Sequence, residues 1–93
     1  MFETDLYRLR ASMRSQDYRL SFHARQELEE DGLWITDLES CVLTGAIIER
    51  QRDRSTNEWK YVIEGRAPDG LAVTVVAKWD AVDRMVIVTV FRT

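Results

Sequence analysis

The sequence predicts an α+β domain in which N-terminal helices pack on one face of a four-stranded antiparallel sheet. Two periodicities and their punctuation predict it. Apolar residues recur at helical spacing through the first half, as at Phe2, Leu6, Leu9 and Met13. The second half alternates as strands do, most clearly where Trp59, Tyr61 and Ile63 oppose Lys60, Glu64 and Arg66. Gly32, Gly45 and the run Pro68-Asp69-Gly70 fall where elements should stop or turn. Helices first and strands afterwards give segregated layers rather than an alternating α/β order.

Residues 4–16 form the first predicted helix, with Thr4 as N-cap and Asp5 in the first turn, where the helix dipole favours an acid. Arg8, Arg10 and Arg14 occupy its other faces, either as a solvated surface or as a basic strip. Asp17 to Leu20 reads as a short extended link. Ser21 is the N-cap of a second helix that runs to about Asp31. Its core side is Ala24 and Leu28, Phe22 packs back on the first helix, and Gly32 is a left-handed stop. Leu33, Trp34 and Ile35 make a buried corner. Thr36 and Glu39 have capping-box spacing for a third helix, whose core face is Leu38, Cys41 and Val42. Gly45 closes it in a left-handed conformation. Strands follow over residues 46–53, 57–66, 71–79 and 84–92. The last is apolar on both faces, so it is central or doubly covered. Trp59, Tyr61, Ile63, Val73, Val75 and Ile87 should be buried against Leu6, Leu9, Leu28, Leu38 and Val42. The opposite sheet face is partly polar and forms an open platform.

The bulk composition narrows the function classes. The 93 residues suit one domain over 1–93, and 45% hydrophobic with 31% charged content is that of a folded chain. A net charge of −3 argues against a generic nucleic-acid binder. The acids concentrate in the helical half, and the sheet half is slightly basic. A lone cysteine, no signal-peptide pattern and no apolar run near about 18 residues point to a cytoplasmic protein without a membrane span. One histidine and one cysteine cannot build a four-ligand zinc site, and the four glycines make no phosphate loop. No metal and no cofactor is therefore expected. Cys41, on a core helix face, reads as a small hydrophobe rather than a nucleophile.

Two groups of residues carry possible chemistry. His23 lies in the first turn of the second helix, with Glu27 at i+4 and Glu30 at i+7 on its side. An imidazole there is either an acid–base group or a packing group at a helix start. Arg50, Arg52 and Arg54 alternate with Glu49, Gln51 and Asp53 along and just past the first long strand, and Lys60, Arg66, Lys78 and Arg92 follow on later strands. Such cations either bind a phosphodiester or keep edge strands from aggregating.

Ser21-Phe22-His23-Ala24, then Gly32-Leu33, then the run Val42 to Glu49, then Tyr61 to Gly65 and Ile87 to Phe91 together resemble the bacterial domain-of-unknown-function family 4258. The resemblance runs from about residue 4 to the end. It implies a relative of the RelE, BrnT and MqsR toxin ribonucleases, which have helices followed by an antiparallel sheet, cleave RNA without a metal and pair with antitoxin-like proteins. On that resemblance His23 is the motif histidine, Ser21 the motif serine and Thr89 the polar residue of the last strand. Two features depart from the pattern: Phe91 stands where a hydroxylated aromatic is usual, and the chain is acidic. The resulting expectation is a toxin-like endoribonuclease. His23 transfers protons, Arg66, Lys78 or Lys60 stabilises the developing charge, Ser21 or Thr89 positions a phosphate oxygen, and Arg50 and Arg52 help bind the strand. The rival expectation is a non-catalytic domain that docks a protein partner on the sheet or its edge. Collection of His23, Arg66, Lys78 and Thr89 in one cleft would favour the enzyme.

Overall fold

The computed structural model describes residues 1–92. Its helices are α1 (Glu3–Arg14), α2 (Phe22–Glu30) and α3 (Ile35–Thr44). Its strands are β1 (Tyr18–Leu20), β2 (Ala46–Arg52), β3 (Trp59–Arg66), β4 (Ala72–Trp79) and β5 (Met85–Arg92). Ser21 caps α2 as its position requires, its Oγ accepting from the Ala24 amide at 3.0 Å. Gly32 follows α2 at φ +64°, the left-handed stop that glycine supplies without steric cost. Two helix starts differ from expectation. Thr4 lies inside α1, which begins after Phe2 with no side-chain cap. In α3 the Asp37 carboxylate reaches back to the Trp34 amide at 2.8 Å, so the helix starts a residue before Thr36 and needs no Thr36–Glu39 box. Leu33 alone fills the expected corner. Trp34 and Phe22 are three-quarters exposed, so Phe22 does not pack on α1.

The sheet is five-stranded and mixed, in the order β1-β5-β4-β3-β2, which corrects the expected four antiparallel strands. The added strand is the supposed link. Tyr18 and Leu20 pair in parallel with Met85 and Ile87. Three residues are too few to display alternation, and the partner lies at the far end of the chain. β5 is an inner strand of the sheet, flanked by β4 and, over Met85–Ile87, by β1. The helices share one sheet face, where Leu9, Met13, Leu28, Leu38 and Val42 bury against Tyr61, Ile63, Val73, Val75, Ile87 and Val90. Leu6 is only half-buried, and Trp59, at the first position of β3, is 38% exposed. Cys41 is fully buried with its Sγ 3.2 Å from the Val73 carbonyl. Burial pushes its thiol up to about 12, so at neutral pH it supplies no thiolate.

Where α3 runs into β2 the backbone of Gly45 is extended, with φ −91° and ψ −168°, rather than left-handed. Glycine is required there by proximity. A β-carbon on Gly45 would lie 2.3 Å from the Glu64 carbonyl oxygen, and one on Gly65 would lie 2.2 Å from that of Cys41. The end of α3 thus rests directly on β3. Arg10 of α1 fastens the same corner, donating to the carbonyls of Val42 at 3.1 Å and Gly45 at 2.7 Å, which the helix end leaves open. Gly65→Ala is expected to destabilise the domain by about 1–3 kcal/mol, since backbone atoms must shift to admit the methyl group. Urea melts check this, and a loss below about 0.5 kcal/mol would show that the contact yields freely.

Candidate functional site

β5 is longer than its partner β1. Past Ile87, the outer edge of β5 has no strand beside it, and α2 occupies that place. The Ser21 amide donates to the Ile87 carbonyl at 2.9 Å and the Ser21 hydroxyl to the Val88 carbonyl at 2.8 Å. Glu27 Oε1 accepts from the Val90 amide at 3.1 Å, and Asp31 Oδ2 accepts from the Arg92 amide at 3.4 Å. The match is geometric. Four residues of helix rise about 6 Å, and two residues of strand span about 6.6 Å, so Glu27 and Asp31 keep step with Val90 and Arg92. The register with β4 slips at Val88, between the pairs Ala77–Ile87 and Val76–Thr89. Such a bulge re-aims the side chains that follow it, and the Thr89 hydroxyl donates to Glu27 Oε1.

His23 lies one turn before Glu27, with Nε2 3.3 Å from the same Oε1. One carboxylate oxygen therefore gathers the Thr89 hydroxyl, the Val90 amide and the imidazole. The His23 side chain is 67% exposed, that of Glu27 only 18%. A carboxylate anchored to a strand faces one ring nitrogen and leaves Nδ1 for a ligand or solvent. An exposed imidazole so placed is able to exchange a proton with a ligand at the surface. Glu30 is exposed and, among the described residues, makes no ion pair or hydrogen bond with it.

The other expected site residues lie elsewhere. Ser21 uses its hydroxyl on Ala24 and Val88, which assigns it to helix capping and to the β5 edge. Arg66 pairs across from Ala72 and donates to the Gly70 carbonyl at 2.9 Å. It lines an open cleft of about 520 Å³ with Thr44, Gly45, Glu64 and Val73. Lys78 sits at the other end of β4, opposite Lys60 and Val86. Six residues of strand, roughly 20 Å, separate the levels of Ala72 and Lys78, so Arg66 and Lys78 do not serve one phosphate. Only Thr89 joins His23, through Glu27. Strand alternation reveals the face a residue occupies, whereas its level depends on register.

The lysines are also spoken for. Lys60 and Lys78 face each other across β3 and β4, and like charges so placed repel. Lys78 is held by Glu58 at 2.8 Å and Lys60 by Asp53 at 3.8 Å. The hydrogen bond from Lys78 holds the Glu58 carboxyl below its usual range. Arg50 and Arg52 lie on β2, at the margin opposite β1, about four strand spacings or roughly 19 Å from it. Their guanidinium carbons lie 4.0 and 4.5 Å from the centroid of Trp59. Sequence reasoning paired Glu27 with His23 but missed its strand contacts, the part played by Asp31 and the exposure of Trp59. The i+4 interval from Glu27 to Asp31 on a helix next to an unpaired strand edge was the available signal.

A family model described as a domain of unknown function (DUF4258) matches residues 20–92, which include α2, α3 and all the long strands. No curated protein and no solved structure matches the chain.

The shared carboxylate makes a stability prediction. Glu27→Ala leaves the Val90 amide without its acceptor and should cost about 1–3 kcal/mol in denaturant melts. Glu27→Gln retains an acceptor oxygen and should cost less than half as much. Equal losses in the two variants would show that the strand contact contributes little.

Proposed function

The chain belongs to the DUF4258 family, and from that premise we propose that the domain is a toxin-like, metal-independent endoribonuclease, related in fold to the RelE, BrnT and MqsR toxins. The observation that carries the reading is the exposed His23 imidazole held by a largely buried, strand-anchored Glu27. An acid–base group needs access to substrate and a fixed orientation together. In this reading His23 takes the proton of a ribose 2′-hydroxyl as that oxygen attacks the adjacent phosphorus. The bond to the 5′-oxygen breaks, the leaving oxygen takes up a proton, and a 2′,3′-cyclic phosphate remains. Glu27 orients the ring and Thr89 orients Glu27. Arg66, Lys60 and Lys78 have no part in this scheme. The protein would act in the cytoplasm, restrained by an antitoxin-like partner.

The experiment is an RNA cleavage assay on purified protein, wild type beside His23→Ala. Because His23 is mostly exposed, the variant should melt as the wild type does. Its cleavage rate should fall by about 10²–10⁴, the usual contribution of a positioned acid or base. A folded His23→Ala protein that cleaves at the wild-type rate would overturn the assignment.

A further inference from the structure

The margin opposite His23 has its own chemistry. β2 pairs only with β3, so its outer backbone groups have no strand partner, and nearly all of its residues are exposed. At its start is a mostly apolar notch of about 340 Å³ lined by Met1, Phe2, Leu6, Ala46 and Ile47, with Glu3 at its wall. The register then shifts past Ile48. Arg50 and Arg52 follow, opposite Tyr61 and Trp59 and two residues apart, so they share a face. Both guanidinium groups stack on Trp59. Stacking occupies the π face of a guanidinium and leaves its N–H fork open to an anion. Among the described residues neither arginine has a carboxylate within ion-pair distance, in contrast to Arg19 with Asp80 and Arg84 with Asp17, although Arg50 also faces the Tyr61 hydroxyl, which donates to Asp5.

Edge-strand charges ordinarily deter pairing by projecting past the edge. Arg50 and Arg52 lean the other way, over the side chain of β3, so the edge stays approachable. An unpaired edge, an apolar notch and two unmatched cations at alternate positions together describe the receptor for a strand. Affinity in such docking comes from backbone hydrogen bonds, and specificity from alternate side chains.

We infer that β2 accepts an extended acidic segment of a partner protein as a sixth strand. Carboxylates at alternate positions of that segment meet Arg50 and Arg52, and an apolar side chain enters the notch. A polypeptide fits better than RNA for two reasons. Only a polypeptide matches the unpaired N–H and C=O groups of β2, and the net charge of −3 opposes a polyanion more than a short acidic segment. The inference is independent of the ribonuclease reading, since it uses the other margin of the sheet.

The test measures fluorescence anisotropy of a labelled peptide of about ten residues, the length of a long strand, with Glu alternating with Thr and Val. Its Gln counterpart, an alternately N-methylated version that cannot pair with an edge, and a uridine oligonucleotide are run beside it. The acidic peptide should bind, and at least about tenfold more tightly than the Gln or N-methylated peptides. Arg50→Gln combined with Arg52→Gln, both at exposed positions, should fold normally and lose the same factor. No binding at millimolar peptide overturns the inference. Undiminished binding by the N-methylated peptide or by the double variant, or tighter arginine-dependent binding of the oligonucleotide, overturns it equally.

Discussion

Past Ile87 the backbone of β5 has no strand on its outer side, and α2 meets that edge with side chains. Ser21, Glu27 and Asp31 supply the donors and acceptors that a longer β1 would have supplied. A bare edge is an invitation to aggregation, and unsatisfied amides are costly where they are shielded from water. The closure also fixes where α2 sits and how it is turned. Ala24 and Leu28 then enter the core, and His23 is left facing solvent against Glu27. The exposed placement of the only histidine thus follows from one strand outlasting its neighbour.

The two margins of the sheet solve the edge problem differently. On the β5 side, a short parallel strand and a helix cover it. On the β2 side, the edge is left open, with a bulge near its start and mostly exposed residues along it. Charge follows the same division. Lysines on the open face are neutralised in pairs with Asp53 and Glu58, whereas Arg50 and Arg52 are positioned by an indole and lack acids. A low net charge therefore coexists with a β2 margin where two stacked cations have, among the described residues, no ion-pair partner.

Elements whose signal is local were legible in the sequence. The Ser21 cap, the Gly32 stop, the three helices and four long strands need only spacing and turn chemistry, and the buried rows of β3 and β4 follow from alternation. What was not legible depends on partners distant in the chain. Tyr18–Leu20 becomes a strand only because Met85–Ile87 lies beside it. Gly45 is needed because Glu64 approaches, a fact its own neighbours in sequence do not encode. The site divides in the same way. The His23–Glu27 pair is an i,i+4 relation and could be read. The expected union with Arg66 and Lys78 required knowledge of strand register, and the register separates them.

Amide hydrogen exchange tests the closure of β5 most directly, because the Val90 proton is the one Glu27 accepts. In the wild type that proton should exchange as slowly as core amides such as Ile63. In Glu27→Ala it should exchange faster by roughly 10–100-fold beyond any change at Ile63, the equivalent of the lost acceptor. A Val90 amide that slows or quickens only in parallel with Ile63 would contradict the account, since α2 would then cover the edge without bonding to it.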